Sequence, residues 1–331
     1  MKDSGAGFAW LKRLTPEPYI IAIVGMVLLA SLAPVRGEAA ASFSWATKAA
    51  IALLFFLHGA RLSREAVVAG LFHWRLHLTI LAATFGLFPI LGLATQWIPA
   101  TILPAPLTAG LLFLCCLPST VQSSIAFTSV ARGNVAAAVC AASASNLLGI
   151  FVTPALVAAT MGARGGGFSL GELQSVIVQL LLPFLAGQIA RRWIKDWIAR
   201  HSRLVGWVDR GSILLVVYGA FSAAVAQDLW RQVSGIQILV LVLACVVLLG
   251  LVLTATVLAA RALGFSTPDE VVIVFCGSKK SLASGVPMAG IFFPPAIVGP
   301  MILPLMLFHQ LQLMACALIA QRYAARPAQE A

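Results

Sequence analysis

The sequence predicts an all-α polytopic membrane protein with ten transmembrane helices, arranged as an inverted repeat of five plus five. Hydrophobic residues make up 60% of the 331 residues, and charged residues only 10%. Ten segments are long and apolar enough to cross a bilayer, which takes about 20 residues. The basic residues fall mainly on one side of these segments, as expected of a membrane protein.

This composition excludes several other classes of protein. A soluble domain carries about 25% charged residues, far more than this chain. The net charge of +11 does not indicate nucleic-acid binding, because too few basic residues lie outside apolar surroundings to form a phosphate-binding face. The six cysteines lie in apolar runs without a CxxC pair, so we interpret them as buried hydrophobic residues rather than disulfides or zinc ligands.

The predicted spans follow one another through short linkers. Lys12 and Arg13 precede the first apolar run as in a signal peptide, but Pro34 follows that run directly, so we expect an uncleaved helix. Small residues from Ala136 to Ala144 favour close packing of the fifth span. The ten predicted spans are 17–34, 43–60, 75–97, 106–130, 134–161, 174–193, 211–229, 235–262, 268–292 and 295–321.

The topology follows from the basic residues. With the N-terminus inside, sixteen Lys and Arg residues fall in inner segments, and only Arg36, Lys48, Arg164 and Arg231 fall in outer ones. This asymmetry predicts a protein of the plasma (inner) membrane with both termini cytoplasmic.

The most charged stretch is Arg191–Arg210, which also contains Trp193, Trp197 and Trp207. Two interpretations stay open for it: a binding site for anionic lipid head groups, or an inner-surface helix with aromatic anchors.

Two spans at matching positions of the halves are interrupted. Five helices per half require the second half to be inverted, as in many secondary transporters, whose sites lie where matching helices are broken. In the fourth span, Pro118 disfavours helix at Leu117, while Ser119 and Gln122 have the spacing of a capping box. We predict one half-helix ending near Leu117 and another starting near Thr120; the alternative is a proline kink.

The ninth span contains a second interruption. Gly277 is a common helix end, and Ser278 or Ser281 can cap a new start. Lys279 and Lys280 lie near the middle of the span, where each lysine costs about 2.5–3.5 kcal/mol on insertion scales and usually marks a functional cavity. The alternative is two shorter helices with both lysines in a hydrated loop.

No carboxylate is predicted at the depth of these lysines, because every Asp and Glu lies outside the middle of a span. The lysines are then either neutral or matched by a bound anion, and the starts of the second half-helices add positive dipole ends. The substrate favoured by this arrangement is a small organic anion. Asn146 and Ser143 either line the site or bond neighbouring helices, and His58 and His309 either relay protons or pack.

Several segments resemble the sodium/bile acid symporter family, in the branch related to vertebrate member seven and its bacterial homologues. They are Cys116-Leu117-Pro118, Ala131-Arg132-Gly133-Asn134, Thr153-Pro154 and Phe275-Cys276-Gly277-Ser278-Lys279-Lys280-Ser281. The resemblance covers roughly residues 10–325. It implies a panel domain (approximately 17–60 and 174–229) and a core domain (approximately 75–161 and 235–321). It also implies that the fourth and ninth helices cross at the midplane, where sodium binds, and that an organic anion moves by alternating access.

The resemblance transfers to this chain only in part. It places a sodium-binding pair on Ser123 and Ser124, a further ligand on Asn146, and the family's third-helix glutamine on Thr84. The family's glutamate falls on Phe275 and its Gln-Asn pair on Lys279 and Lys280, where ammonium groups repel a sodium ion. The predicted substrate- and ion-binding residues are Thr84, Ser119, Thr120, Gln122, Ser123, Ser124, Asn146, Phe275, Ser278, Lys279, Lys280 and Ser281.

We therefore predict a secondary active transporter of an organic anion in which Lys279 or Lys280 replaces the bound sodium. Na⁺ and H⁺ both stay open as the coupling ion, and no other cofactor is expected. The alternative is a non-transporting membrane regulator or scaffold on a transporter fold. An enzyme is not expected, because the sequence lacks a nucleophile or acid/base constellation.

Overall fold

The computed structural model describes residues 18–61, 73–162, 170–226, 228 and 233–326. Within these ranges every regular element is a helix. The helices are α1 (Pro18–Leu32), α2 (Glu38–Arg61), α3 (Trp74–Thr95), α4 (Ala105–Cys116), α5 (Gln122–Val130), α6 (Val135–Met161), α7 (Leu170–Arg200), α8 (Ser202–Val225), α9 (Gly235–Ala262), α10 (Thr267–Gly277), α11 (Leu282–Phe292) and α12 (Pro295–Ala324). The predicted anchors Lys2, Lys12, Arg13, Arg64, Arg164 and Arg231 lie outside the described residues, as do both chain ends.

The prediction of an all-helical, multi-pass membrane protein is confirmed. Six of the described helices are long and apolar enough to cross a membrane, namely α2, α3, α6, α8, α9 and α12. Large apolar side chains of α9, among them Leu239, Leu243 and Leu251, are exposed, as expected of a helix that faces lipid. The predicted fourth and ninth spans are each divided into two short helices, so neither provides one helix of spanning length.

The first interruption lies between α4 and α5. α4 ends at Cys116, directly before Leu117 and Pro118, as the proline predicts. The capping box predicted from Ser119 and Gln122 is wrong: α5 begins at Gln122 after Val121, and no side chain caps it. The Ser119 hydroxyl is used instead in a contact with another helix, described below.

The second interruption lies between α10 and α11. α10 ends at Gly277, and the Ser278 hydroxyl donates to Val274 O (2.6 Å), which helps to satisfy the last turn. Ser281 caps α11 by accepting from the Ser284 N–H (3.1 Å). The lysines lie in the break itself and are 0% exposed, so the interpretation as a hydrated loop is wrong.

Two glycines allow other elements to approach the breaks closely. A Cβ on Gly149 of α6 would lie 2.7 Å from the Pro118 side chain, and one on Gly285 of α11 would lie 2.3 Å from the Leu117 side chain. The rigid Pro118 ring leaves no room for a side chain at position 149, whereas at position 285 the ends of two leucine side chains would have to move; both glycines pack helices of the bundle directly against the α4–α5 break.

α2 and α7 pack through a reciprocal pair of glycines. A Cβ on Gly187 would lie 1.9 Å from Phe56 O, and a Cβ on Gly59 would lie 2.0 Å from Phe184 O. The two backbones touch at these points, which is the close approach that small residues allow between membrane helices.

The turn between α5 and α6 is attached to the start of α10. Arg132 adopts a left-handed conformation (φ 57°) in this turn. Asn134 then caps α6 by accepting from the Ala137 N–H, while its side chain donates to Asp269 and its backbone N–H to Pro268 O. This Ala131–Asn134 segment thus ties the two broken spans together at one end.

Candidate functional site

The two breaks lie against each other and exchange hydrogen bonds. The Ser119 hydroxyl donates to Cys276 O (2.6 Å), and the Ser124 hydroxyl donates to Phe275 O (2.9 Å). In the other direction, the Ser281 N–H donates to Pro118 O (2.9 Å). Each interrupted helix therefore satisfies backbone groups that the other cannot pair within itself.

Every carbonyl from Cys115 to Ser119 accepts a hydrogen bond from a different element. Residues of α6 and of the second break provide the donors. The pairs are Cys115 O with Lys280 Nζ, Cys116 O with Thr153 Oγ1, Leu117 O with Lys280 Nζ, Pro118 O with Ser281 N, and Ser119 O with Asn146 Nδ2. These five carbonyls of the first break are thus paired by the surrounding protein, as irregular backbone inside a membrane requires.

The Lys280 side chain lies at the centre of this crossing. Its Nζ donates to Thr84 O (2.7 Å), Cys115 O (2.8 Å) and Leu117 O (2.7 Å). A lysine ammonium has three N–H donors, and a neutral amine has only two. Three acceptors at these distances therefore indicate the charged form. The fourth side is covered by the Phe88 ring, whose centre lies 4.0 Å from Nζ.

The Thr84 carbonyl is available because α3 is not a regular α-helix at this point. Residues Ala83–Leu87 form a π-helical turn, in which the Phe88 N–H donates to Ala83 O instead of Thr84 O. The next residue, Pro89, has no N–H to offer. Thr84 O is therefore left without a partner in its own helix and bonds Lys280, whereas the buried Thr84 hydroxyl has no partner among the described residues.

Gln312 of α12 holds the backbone of Lys280. Its Oε1 accepts from the Lys280 N–H (2.9 Å), and its Nε2 donates to Lys280 O (3.0 Å). The same Nε2 lies 2.8 Å from His309 Nδ1. Gln312 is fully buried and was not predicted from the sequence; a polar side chain inside the tenth predicted span was the available signal.

Lys279 has quite different surroundings. It is also 0% exposed, yet its Nζ finds no hydrogen-bond acceptor in the described part of the chain. The ring centres of Phe127 and Phe275 lie 4.0 and 5.3 Å from this nitrogen. The ion pairs found among the described residues, Arg61–Asp209 and Arg261–Glu270, involve neither lysine.

The remaining predicted residues bond with one another around the crossing. The Thr120 hydroxyl lies 2.8 Å from that of Ser123 and 2.9 Å from that of Ser124. Asn146 Oδ1 accepts from the Ser284 hydroxyl (2.9 Å), so α6 and α11 are joined beside the break. Gln122, at the start of α5, is exposed.

A cavity of about 1440 Å³ lies between α2 and α8 on one side and α4, α6, α11 and α12 on the other. It reaches Leu112, one turn before α4 ends at Cys116. None of the residues predicted as the site lines it. The crossing is therefore a buried layer behind this cavity.

The cavity has basic and apolar walls. Among the described residues, Arg36 and Lys48 are its charged lining residues, and neither Asp nor Glu is found in its walls. The prediction counted Lys48 with the outer segments although its predicted span, 43–60, already contained it; in the structure Lys48 lies inside α2, which begins at Glu38. Hydroxyl groups of Thr47, Thr108 and Thr160 add polar groups to a mainly apolar surface.

A polar clasp joins α9, α10 and α12 at one end of the bundle. Arg261 donates to both oxygens of the buried Glu270 (3.0 and 3.3 Å), and the Tyr323 hydroxyl donates to the same carboxylate (2.6 Å). The clasp fixes the first half-helix of the second break to α9 and α12.

A sequence profile of the SBF-like CPA transporter family matches residues 17–325. The chain belongs to this family. The resemblance read from its motifs is thereby confirmed, and the family is one of transporters, not of enzymes.

Similar proteins cover nearly the whole chain. "Uncharacterized protein PA2026" of Pseudomonas aeruginosa is 56% identical over 315 residues, 95% of each chain. "Putative symporter YfeH" of Escherichia coli is 53% identical over 307 residues, 93% of this chain and 92% of that protein. "Sodium/bile acid cotransporter 7" of Rattus norvegicus is 30% identical over 310 residues, 92% of this chain and 91% of that protein.

Proposed function

We propose that this family member is a secondary transporter that moves an organic anion across the cell membrane by alternating access. The observation that carries the proposal is the cavity of about 1440 Å³, which in the described part of the chain is lined by Arg36 and Lys48 and by no carboxylate. Two cations recognise a carboxylate, sulfonate or phosphate group, and the apolar walls suit a hydrophobic body. The substrate is thus an amphipathic anion.

The architecture that we propose has ten spans in two inverted halves. α4 with α5 forms the fourth span, α10 with α11 forms the ninth, and α1 and α7 complete the count. In this arrangement α1, α2, α7 and α8 are the panel, and the other helices are the core. The cavity between α2 and α8 on one side and the broken helices on the other supports this division, since relative motion of the two parts would open and close it.

We also propose that transport does not need sodium. The sodium ligands implied by the resemblance do not fit that ion in this chain. The hydroxyls of Ser123 and Ser124 bond with Thr120, Asn146 Oδ1 accepts from Ser284, and Phe275 stands where the resemblance places a glutamate. An ammonium group already binds the free carbonyls of the first break. A sodium ion beside it would be repelled.

The placement in the membrane is likewise a proposal. With both termini cytoplasmic, the cavity opens to the outside and Arg191–Arg210 lies at the inner surface. Trp193 and Trp207 are 64% and 74% exposed there, and the Arg192 guanidinium lies 3.6 Å from the Trp193 ring centre. Exposed Arg and Trp at this level support binding of anionic lipid head groups.

A thermal-shift screen of organic anions tests the transport proposal. Purified protein is melted with each anion in NaCl and in choline chloride, and the hits are repeated on Lys48→Gln and Arg36→Gln, with Lys195→Gln as an exposed basic control. We expect amphipathic anions to raise the melting temperature equally in both salts, and the two cavity variants to lose this shift. Uptake of the best anion into proteoliposomes follows.

Two results would count against the proposal. If no anion stabilises the protein, or if the shifts survive in both cavity variants, the cavity is not an anion site. If uptake of the anion requires sodium steeply and this requirement persists in Lys280→Gln, the sodium-independent mechanism is wrong.

A further inference from the structure

We infer that the crossing contains a binding site for a small monovalent cation, of the alkylammonium class, that the chain fills with its own Lys280 side chain. The site consists of Thr84 O, Cys115 O and Leu117 O with the Phe88 ring as its fourth wall. The inference deepens the proposed transport function. The cation site itself does not depend on that function, but the role of the site in transport does.

The acceptors are created by the fold independently of Lys280. Thr84 O is unpaired because of the π-helical turn and Pro89, and the last carbonyls of α4 are unpaired because Pro118 ends that helix. Carbonyl groups at a helix C-terminus also carry the negative end of its dipole. Three such oxygens face one point, as in the ion sites that broken helices form in other transporters.

The geometry at that point matches an ammonium group. The three N···O distances are 2.7, 2.8 and 2.7 Å, so each N–H has one acceptor and none is left over. The Phe88 ring lies 4.0 Å from the nitrogen and contributes a cation–π contact. An aromatic wall with a small ring of carbonyls suits an alkylammonium ion.

The side chain that enters this site comes from a separate element. Lys280 belongs to the α10–α11 break, and Gln312 fixes its backbone on both sides of the residue. Lys279, its neighbour in sequence, has no carbonyl within hydrogen-bonding distance among the described residues. Only one of the two lysines therefore occupies a site of this kind.

A covalently attached cation changes what the transporter can couple to. A free ion occupies its site according to its concentration on each side of the membrane, whereas the Lys280 side chain is covalently attached and cannot leave the site. No gradient of sodium or another free metal cation can then do work by binding there. The protein would therefore act as a uniporter, as an anion exchanger, or as a transporter coupled to protons through the Lys280 amine.

Chemical rescue of Lys280→Ala tests the site without any knowledge of the substrate. The variant lacks the side chain beyond Cβ, so methylammonium or ethylammonium can occupy the vacated space. Melting temperatures are measured in chloride salts of methylammonium, ethylammonium, sodium and choline, the last being too large and having no N–H. We expect the variant in choline to melt about 5–10 °C below wild type, because three buried carbonyls lose their partner. Ethylammonium should restore at least half of this loss, and the restoration should saturate.

Three proteins serve as matched controls. Lys280→Met fills the space without a charge, Lys279→Ala removes the neighbouring amine, and wild type already contains the cation. None of them should gain stability from ethylammonium relative to choline. If Lys280→Ala is recovered poorly, the four salts are present from solubilisation onward, and monodisperse yield becomes the readout with the same expected order.

The inference is overturned if ethylammonium stabilises Lys280→Ala no more than choline does, or stabilises the controls equally. It is also overturned if sodium stabilises wild type saturably, because the cation position would then be open. These outcomes concern stability alone, so they are distinguishable from a failure of the anion screen.

Discussion

Replacement of Gln312 by leucine should destabilise the protein by more than the loss of one hydrogen bond, because it leaves two backbone groups of the crossing unpaired. Gln312 is fully buried in α12 and pairs with both the N–H and the carbonyl of Lys280. Leucine has a similar volume but neither a donor nor an acceptor. The Lys280 peptide groups would then lie unpaired in a region without solvent, and the lysine would lose the contact that fixes its backbone.

The size of the effect follows from the two groups left unpaired. A buried polar group without a partner costs about 1–3 kcal/mol, so the two backbone groups together cost about 2–6 kcal/mol. Leucine returns part of this through apolar packing. For a protein of this length, 1 kcal/mol changes the melting temperature by about 2 °C, so we expect Gln312→Leu to melt about 4–12 °C below wild type.

The assay is scanning fluorimetry of the detergent-purified protein, with Gln310→Leu as the matched control. Gln310 lies on the same helix, and its Oε1 has no partner among the described residues, so its loss should change the melting temperature little. The reasoning is refuted if Gln312→Leu melts within about 1 °C of wild type, or if both variants fall by the same amount.

The other predictions concern packing and the polar clasp. Gly187→Ala should lower the free energy of unfolding by about 1–3 kcal/mol, because the new Cβ meets Phe56 O. Gly206 has open space around it, so Gly206→Ala should be neutral or stabilising by up to about 1 kcal/mol. Equal melting temperatures of the two variants would contradict this prediction. Glu270→Ala should destabilise the protein more than Tyr323→Phe does. The first variant removes the acceptor of three hydrogen bonds, whereas the second removes one donor, which costs about 1 kcal/mol. The reverse order of stability in urea titrations would contradict the polar clasp.

The breaks could be predicted from the sequence because their causes are local. Pro118 ends α4 two residues before it, and Gly277 is the last residue of α10. Ser281 caps α11 as predicted. The capping box at Ser119 failed because its hydroxyl is closer to an unpaired carbonyl of the other break, at Cys276. Local spacing cannot indicate that a tertiary partner competes for the same hydroxyl.

The different contacts of Lys279 and Lys280 could not be predicted from the sequence. The two lysines are neighbours in one break and both are buried, so nothing in the local sequence distinguishes them. Their difference depends on Thr84 O, which is free only because α3 forms a π-helical turn, and that turn has no reliable sequence signal. Gln312 was missed for the same reason, since its partner is a backbone group distant in the chain.

The bond from Lys280 to α3 and α4 has a consequence for how the protein is made. The acceptors Thr84 O, Cys115 O and Leu117 O lie in the first half of the chain, which leaves the ribosome first. The broken span of α10 and α11 enters the bilayer later, with two lysines that each oppose insertion by about 2.5–3.5 kcal/mol. We expect the first half to be in place as a receptor before this span is stable in lipid. The break between α10 and α11 would therefore depend on earlier folding of the first half, in addition to its place in the candidate site.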